Sequence, residues 1–430
     1  MRGSIFPQFA HFSSFRINSS EFANLVSCYR QGNQRCQKGL RPVSIVSVAS
    51  DSVRWSVMRV AVADGMKNNS DISWARTGET LRLIVALCAL VMLAAACGCR
   101  KTVADRPVGA PIAITAPLGL PHVPIPADNP PTSQTIALGK KLFYDPRLSK
   151  DNTLACATCH SPAHDFSDTN RLSKGVGGSI GVRNAPTLIN AAYMPSQFWD
   201  GRAASLELQA ARPIADPIEM NQTHEVSVAK LAKDADYRRL FTDAFGSPDV
   251  TMSRVEKSVA SFERTILSGN SPFDRFQYGG DPKALTPEQA RGLALFLDPN
   301  KGNCAACHTI GPQFALFTDG NFHNIGVGVD DEGHPKDAGR FHETTVQSDT
   351  GAFKTPTLRN VARTAPYMHD GSLQTLEQVV DFYAGGGNSN PNLDREIHTI
   401  HLTGQERRDL VEFLNSLTGE LPPGLQEERK

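Results

Sequence analysis

The stretch GKKLFYDPRLSKDNTLACATCH, residues 139–160, has a shorter counterpart in GLALFLDPNKGNCAACH, residues 292–308. Both contain Gly-x-x-Leu-Phe-x-Asp-Pro, then a short loop and the motif Cys-x-x-Cys-His. Self-similarity over this length indicates two related structural units in one chain.

Helices are predicted around each copy of the repeat. One precedes each Asp-Pro turn, at 135–143 and 287–297, and Thr286 is a predicted N-cap followed by proline in the first helical turn. A closing helix is predicted at 405–417, with Thr403 near its start and an apolar face built from leucine, valine and phenylalanine.

The cysteines of the repeat point to a covalently bound cofactor. In Cys-x-x-Cys-His, two thiols can form thioethers with the haem vinyl groups, and the adjacent histidine can ligate the iron. The sequence therefore predicts a mainly α protein with two cytochrome c-like domains, each with one haem c. The predicted attachment residues and iron ligands are Cys156, Cys159, His160, Cys304, Cys307 and His308.

Two other readings of the cysteine pairs remain open at this point. Two Cys-x-x-Cys pairs can converge on one four-thiolate zinc ion, and a single pair can form a thioredoxin-type redox centre. The histidine that follows the second cysteine in both copies favours haem.

The overall charge is balanced, with 44 Lys and Arg residues against 44 Asp and Glu residues. This balance does not indicate a nucleic-acid partner or an anionic membrane surface.

The first 133 residues are predicted to be targeting and linking sequence. The apolar run LRLIVALCALVMLAAAC, residues 81–97, follows arginines and predicts a bacterial secretion signal over 66–97. Its end resembles a lipoprotein signal, which would lipidate Cys97, with simple cleavage or a retained anchor as alternatives. Translation from Met66 would leave 1–65 untranslated, or else disordered. Residues 98–133 are proline-rich and predict a tether.

Five further motifs carry a resemblance that runs from residue 132 to the end of the chain. The motifs are RNAPTLIN at 183–190, FWDGRA at 198–203, QAARPIADPIEM at 209–220, KTPTLRN at 354–360 and TAPYMHDGSLQTLEQVVDFY at 364–383. Together they resemble the bacterial di-haem cytochrome c peroxidases, and specifically the MauG-like branch. The resemblance implies an N-terminal peroxidatic domain, 134–285, and a C-terminal electron-transfer domain, 286–430.

The resemblance also implies roles on the far side of the first haem. Glu219 matches the catalytic carboxylate, which would move a proton between the peroxide oxygens. Gln209 matches the polar residue beside it, Pro213 the residue that shapes the pocket, and Trp199 the tryptophan between the haems.

The axial ligands are expected to differ between the two haems. Many family members cap the first haem with a histidine from the loop at 173–184, but this loop contains none here, which predicts an open iron site. His164 is an unfavourable substitute because it follows the proximal ligand closely. For the second haem the resemblance implies Tyr383 as sixth ligand, with Met368 and His369 as rivals.

A calcium ion is implied between the domains, bound by Asn184 and by the backbone carbonyls of Thr364 and Pro366, since calcium prefers oxygen ligands. His323 is expected near the second haem. The remaining histidines are interpreted as surface or structural groups.

The predicted function is periplasmic reduction of hydrogen peroxide to water. The electrons would come from a small redox donor, a cytochrome c or a cupredoxin. One alternative is MauG-like oxidation of residues on a partner protein through a high-valent iron state. Another, of a different class, is a di-haem electron-transfer cytochrome.

Overall fold

The structure of this chain is a computed structural model that describes residues 105–425. Twelve α-helices are present in this part of the chain. They are α1 Ser133–Phe143, α2 Cys156–Cys159, α3 Leu206–Ala210, α4 Arg212–Ala215, α5 His224–Ala232, α6 Ala235–Phe245, α7 Met252–Glu263, α8 Pro272–Gln277, α9 Pro287–Leu297, α10 Phe341–Thr344, α11 Leu376–Ala384 and α12 Gly404–Asn415.

Regular β-structure is minor in the described residues. Strands β1, Phe322–His323, and β2, Phe353–Lys354, pair antiparallel, with Phe322 opposite Lys354. The predicted mainly α fold is therefore confirmed.

Three predicted helices are present close to their expected bounds. Helix α9 begins after Thr286, whose hydroxyl accepts from the backbone of Gln289 in a capping box. Helix α12 begins after Thr403, which forms a second capping box with Glu406. These reciprocal bonds satisfy backbone donors that the first helical turn leaves unpaired.

The repeat is built on two matching helix crossings, α1 on α7 and α9 on α12. A Cβ atom added to Gly139 would lie 1.8 Å from the carbonyl oxygen of Ser258, and one added to Gly292 would lie 1.9 Å from that of Asp409. Only glycine allows the backbones to approach so closely, so the glycine of the repeat motif serves the same purpose in both halves.

An aromatic pair seals each crossing. The ring centroids of Phe143 and Phe262 lie 5.3 Å apart, and those of Phe296 and Phe413 lie 5.0 Å apart. All four rings are buried, and tilted pairs at such distances contribute beyond simple burial.

Two asparagines close the equivalent turns that follow the PTL sequences. Asn190 and Asn360 share a left-handed backbone with φ of 59°. The Asn190 side chain accepts from the Ser268 N–H at 3.1 Å, and the Asn360 side chain accepts from the Gly419 N–H at 3.0 Å. Each turn is thereby fixed to the segment that follows the long helix of its own half.

The proline-rich segment makes specific contacts with both halves over the residues described. Arg254 forms an ion pair with Asp105, with its Nε 3.1 Å from the carboxylate. The Gly119 carbonyl accepts from the fully buried Arg359 side chain at 2.8 Å. From residue 105 onward this segment is therefore not a free linker.

No helix within residues 105–425 is long and apolar enough to cross a bilayer; the apolar run at 81–97 and Cys97 lie outside the described residues.

Candidate active site

One cavity of about 970 Å³ runs through both halves of the repeat and has largely apolar walls. It is lined by all six residues of the predicted haem attachment sites, Cys156, Cys159, His160, Cys304, Cys307 and His308. The two motifs therefore open into a shared interior, where an apolar planar cofactor would be shielded from water.

None of the four motif cysteines forms a disulfide within residues 105–425. Burial raises the pKa of both Cys156 and Cys304 to about 12. Reactive redox cysteines show the opposite shift, because the thiolate is the nucleophile, so the thioredoxin-type reading is not supported.

The zinc reading is not supported either. Within residues 105–425, no three His, Cys, Asp or Glu side chains converge on a point that could hold a metal ion. The two cysteine pairs consequently do not share one metal.

Both motif histidines are held in the orientation that iron ligation requires. The Nδ1 atom of His160 lies 3.2 Å from the Phe166 carbonyl oxygen, and that of His308 lies 2.9 Å from the Phe317 carbonyl oxygen. Burial lowers the pKa of both imidazoles. A neutral ring that donates from Nδ1 leaves the Nε2 lone pair free for a metal, so the residues present fit a haem at each motif.

The opposite wall of the cavity is built from equivalent helical segments in the two halves. Ser205 caps α3 and Thr375 caps α11, each with its hydroxyl accepting from the backbone three residues on. The eighth residue after the cap is Pro213 in the first half and Tyr383 in the second. Both line the cavity. At this shared position, the first half therefore has Pro213, whose side chain cannot ligate a metal, and the second half has the phenol of Tyr383.

Gln209 and Glu219 also line the first half of this wall. Burial, reinforced by the charge of Asp216 and opposed by Arg202, raises the pKa of Glu219 to about 7. Val379 occupies the position equivalent to Gln209 in the second half. A buried carboxyl whose pKa is raised toward neutral therefore lies in the same half of the cavity wall as Pro213.

The loop at 173–184 covers Glu219 through its backbone. The Val176 N–H donates to the Glu219 carbonyl at 2.8 Å, and a Cβ atom on Gly175 would lie 2.0 Å from the Ile218 carbonyl oxygen. Glycine is thus needed at position 175 for the loop to approach the backbone of Ile218.

His164 is exposed and does not line the cavity, so it is not placed as a distal group.

Trp199 lies where the two halves exchange backbone hydrogen bonds. Its carbonyl accepts from the Lys354 N–H at 2.8 Å, and the carbonyl of the equivalent residue, His369, accepts from the Asn184 N–H at 2.7 Å. The Trp199 indole N–H donates to the Asn184 carbonyl at 2.8 Å. The indole is therefore fixed at the junction of the halves.

Tyr383 and its two rivals all line the cavity. Burial raises the pKa of the Tyr383 phenol, and Tyr383 shares the cavity wall with Cys304 and Cys307 of the second motif. His369 stacks on Phe353 with ring centroids 3.6 Å apart. This stacking holds the His369 imidazole against the Phe353 ring.

His323 lies in the cavity wall between two carboxylates. Its Nδ1 atom is 2.5 Å from Asp394, and its Nε2 atom is 2.9 Å from Asp319. Both ring nitrogens are engaged, so His323 serves as a hydrogen-bonding group near the second motif.

The three predicted calcium ligands line the same cavity. The buried Asn184 donates from its side-chain amide to the carbonyl of Asn170 at 3.0 Å. Because the amide nitrogen makes this bond, a cation at this place would be bound through the amide oxygen of Asn184.

Two groups in the cavity wall were not predicted from the sequence. Arg183 bridges Asp200 at 2.5 Å and Asp337 at 2.7 Å, and so joins the two halves. Glu263, at the end of α7, is buried. Extending the repeat from the Cys-x-x-Cys-His motifs to the long helices would have singled out Glu263, because Leu414 occupies its position in α12.

Comparisons with known proteins agree with a chain that has two haem attachment sites. The sequence profile described as di-haem cytochrome c peroxidase matches residues 133–283. The chain is 42% identical to the methylamine utilization protein MauG of Methylorubrum extorquens over 299 residues, covering 69% of this chain and 82% of the relative. The chain belongs to the di-haem cytochrome c peroxidase family.

Other members of the family are similarly related to this chain. It is 38% identical to the cytochrome c551 peroxidase of Nitrosomonas europaea, over 70% of this chain and 85% of the relative. Among solved structures, a MauG-like protein associated with microbial copper homeostasis superposes with a TM-score of 0.66 at 33% identity, covering 72% of this chain and 97% of that one. This di-haem peroxidase thus carries two haem c groups, and its relatives divide between MauG proteins and peroxidases.

Proposed function

We propose that this protein reduces hydrogen peroxide to water in the periplasm, with electrons from a small redox protein, a cytochrome c or a cupredoxin. The observation that carries the proposal is the contrast between Pro213 and Tyr383 at equivalent positions. Pro213 offers no side-chain ligand and would leave the iron of the first half open to peroxide on the side of Glu219, whereas the Tyr383 phenol would hold the iron of the second half.

The haem at His160 would supply the iron that binds peroxide and delivers electrons to it. The remaining chemistry belongs to the protein. Glu219, with its pKa raised to about 7, accepts the proton of one peroxide oxygen and returns it to the other, which leaves as water. The complete reaction takes up two electrons and two protons and forms two water molecules.

Two further side chains support this reaction. Gln209 donates a hydrogen bond that orients peroxide beside Glu219. Trp199, fixed through its indole N–H at the junction of the halves, links the two haems for electron transfer. In the second half, Tyr383 would hold the iron as tyrosinate, since a bound metal cation favours the ionised phenol in spite of burial.

The test begins with absorption and EPR spectra of the ferric protein, followed by one equivalent of hydrogen peroxide. We expect one high-spin and one low-spin haem, an immediate reaction without prior reduction, and rapid return when donor is added. Two low-spin haems that do not react with peroxide would contradict the proposal and favour either a reductively activated peroxidase or the electron-transfer cytochrome.

Oxidation of residues on a partner protein is the second candidate, and Tyr383 in the cavity together with the loop without histidine favours it. In that case the spectra would change at once with peroxide, but the oxidised state would be long-lived and little donor would be consumed. Tyr383→Phe should then shorten that lifetime, whereas the rate of the initial peroxide reaction should stay unchanged.

Calcium is proposed between the halves, bound by Asn184 and by the carbonyls of Thr364 and Pro366. Removal with a chelator should slow electron transfer between the haems, and added calcium should restore it. Unchanged transfer after metal analysis has verified calcium removal would contradict this site.

The remaining proposals concern organisation and location. We assign the peroxidatic half to 134–285 and the electron-transfer half to 286–430. The family is typically periplasmic, and the apolar run at 81–97 supports export with an anchor at Cys97. Mass spectrometry of the mature N-terminus would show either a lipidated Cys97 or a simple cleavage.

A further inference from the structure

Glu263 is a buried carboxylic acid that the proposed reaction does not use. It ends α7, is 3% exposed and lines the cavity. Its Oε2 atom has no hydrogen-bond partner among the described residues. An ionised carboxylate is costly in such a place, so burial favours the neutral acid.

The internal repeat shows which way this position faces. Helices α7 and α12 correspond through their glycine crossings, so that Glu263 matches Leu414, and Val259, one turn earlier, matches Leu410. All four residues line the cavity. The same helical face meets the cofactor space in both halves, but only the first half presents an ionisable group there.

The charged neighbours of Glu263 do not neutralise it. Arg264 forms an ion pair with Glu207, with nitrogen and oxygen 2.8 Å apart. Burial raises the pKa of Glu263 to about 8, with Arg264 opposing and Glu207 reinforcing the shift. Glu263 and the attachment residue Cys156 line the same cavity.

We propose that Glu263 couples the uptake of one proton to the one-electron reduction of the N-terminal haem. An electron from a redox donor converts ferric to ferrous iron, and a proton from solvent converts the Glu263 carboxylate to the acid; both leave on reoxidation. The iron loses one positive charge on reduction, so the ionised carboxylate is less stabilised and binds a proton more readily. Leu414 gives the C-terminal haem no such group.

The test is a spectroelectrochemical titration of the full-length di-haem protein from about pH 5 to about pH 9. It is performed in the Glu219→Gln background, because Glu219 also titrates in the cavity. A tenfold change in proton activity shifts a one-electron, one-proton couple by about 59 mV. We expect the N-terminal potential of the Glu219→Gln protein to fall with pH with a slope approaching this value.

Adding Glu263→Gln or Glu263→Leu should remove more than half of that slope. The first substitution keeps a polar amide, and the second introduces the residue found at this position in the other half. If one variant fails to bind haem, the other still tests the proposal. Retention of at least half the slope in a loaded double variant, or no slope in the Glu219→Gln protein, would overturn the proposal. Because the readout is a potential, a protein inactive toward peroxide would still report on Glu263.

Discussion

The two halves of this protein share a backbone but differ in the side chains that face the cofactor space. Each half has a glycine crossing, an aromatic pair, a left-handed asparagine turn and a histidine held by a carbonyl. The differing pairs, first half against second, are Pro213 and Tyr383, Gln209 and Val379, Trp199 and His369, and Glu263 and Leu414.

This comparison separates the requirements of the scaffold from those of the chemistry. The shared features all bring backbones together or orient a ligand, and they recur because each half has to enclose the same cofactor. The differing positions place proline, an amide, an indole and a carboxylic acid in the first half, where the second half has a phenol, valine, an imidazole and leucine. One backbone arrangement thereby presents two different sets of side chains to the cofactor space.

The largest expected effect comes from removing the acid of the first half. Glu219→Gln keeps the size of the side chain but cannot accept a proton, so the rate of reaction with peroxide should fall about 10²- to 10⁴-fold. Stopped-flow absorption would measure it. Glu256→Gln, which removes a partly buried carboxyl of the same half outside the cavity, is the control and should react at the wild-type rate. A rate for Glu219→Gln within threefold of the wild-type rate would contradict the proposal that the first half differs from the second by its catalytic acid.

A matched pair of substitutions tests the shared scaffold. Gly139→Ala and Gly292→Ala each force a methyl group against a backbone carbonyl less than 2 Å away. Each should destabilise its half by about 1–3 kcal/mol or more, as measured by chemical denaturation of the haem-loaded protein.

The control for this pair is Gly404→Ala, because a Cβ atom there meets nothing nearer than the Arg408 side chain at 3.6 Å. Its stability should equal or exceed that of the wild type, since alanine favours helix. A large effect at only one crossing would show that the halves are less equivalent than their geometry indicates.

The pH profile gives a smaller but more specific effect. The ionised form of Glu219 is the one that accepts a proton from peroxide, and its pKa is raised to about 7. The rate of reaction with peroxide should therefore fall about tenfold per pH unit below about pH 7 and level off above it. This dependence of the rate on pH should be absent in Glu219→Gln. A wild-type rate that does not change between about pH 5 and pH 8 would contradict the role of Glu219 as proton acceptor.

The smallest predicted effect concerns the junction of the halves. Trp199→Phe removes both the oxidisable indole and its hydrogen bond to the Asn184 carbonyl, so electron transfer between the haems should slow severalfold. Flash reduction of the C-terminal haem would measure this transfer. Tyr193→Phe removes the oxidisable phenol hydroxyl of an aromatic residue outside the cavity and should leave the rate unchanged.

Much of the framework was predictable because it depends on local sequence. The caps at Thr286 and Thr403 are set by hydrogen bonds within one helical turn, and Cys-x-x-Cys-His carries its cofactor chemistry in five consecutive residues. The packing of residues 105–132 was not predicted, since proline-rich composition does not show that Gly119 contacts the buried Arg359.

The sequence by itself determined the repeat, the two haem attachment motifs, the mainly α fold and the family. Only the tertiary structure showed that Pro213 and Tyr383 occupy equivalent positions in one shared cavity, and that Trp199 lies where the halves exchange backbone hydrogen bonds. It also showed that burial shifts the pKa values of Glu219 and Glu263 toward neutrality. These properties depend on which distant segments surround a side chain, and that is set by packing rather than by neighbours along the chain.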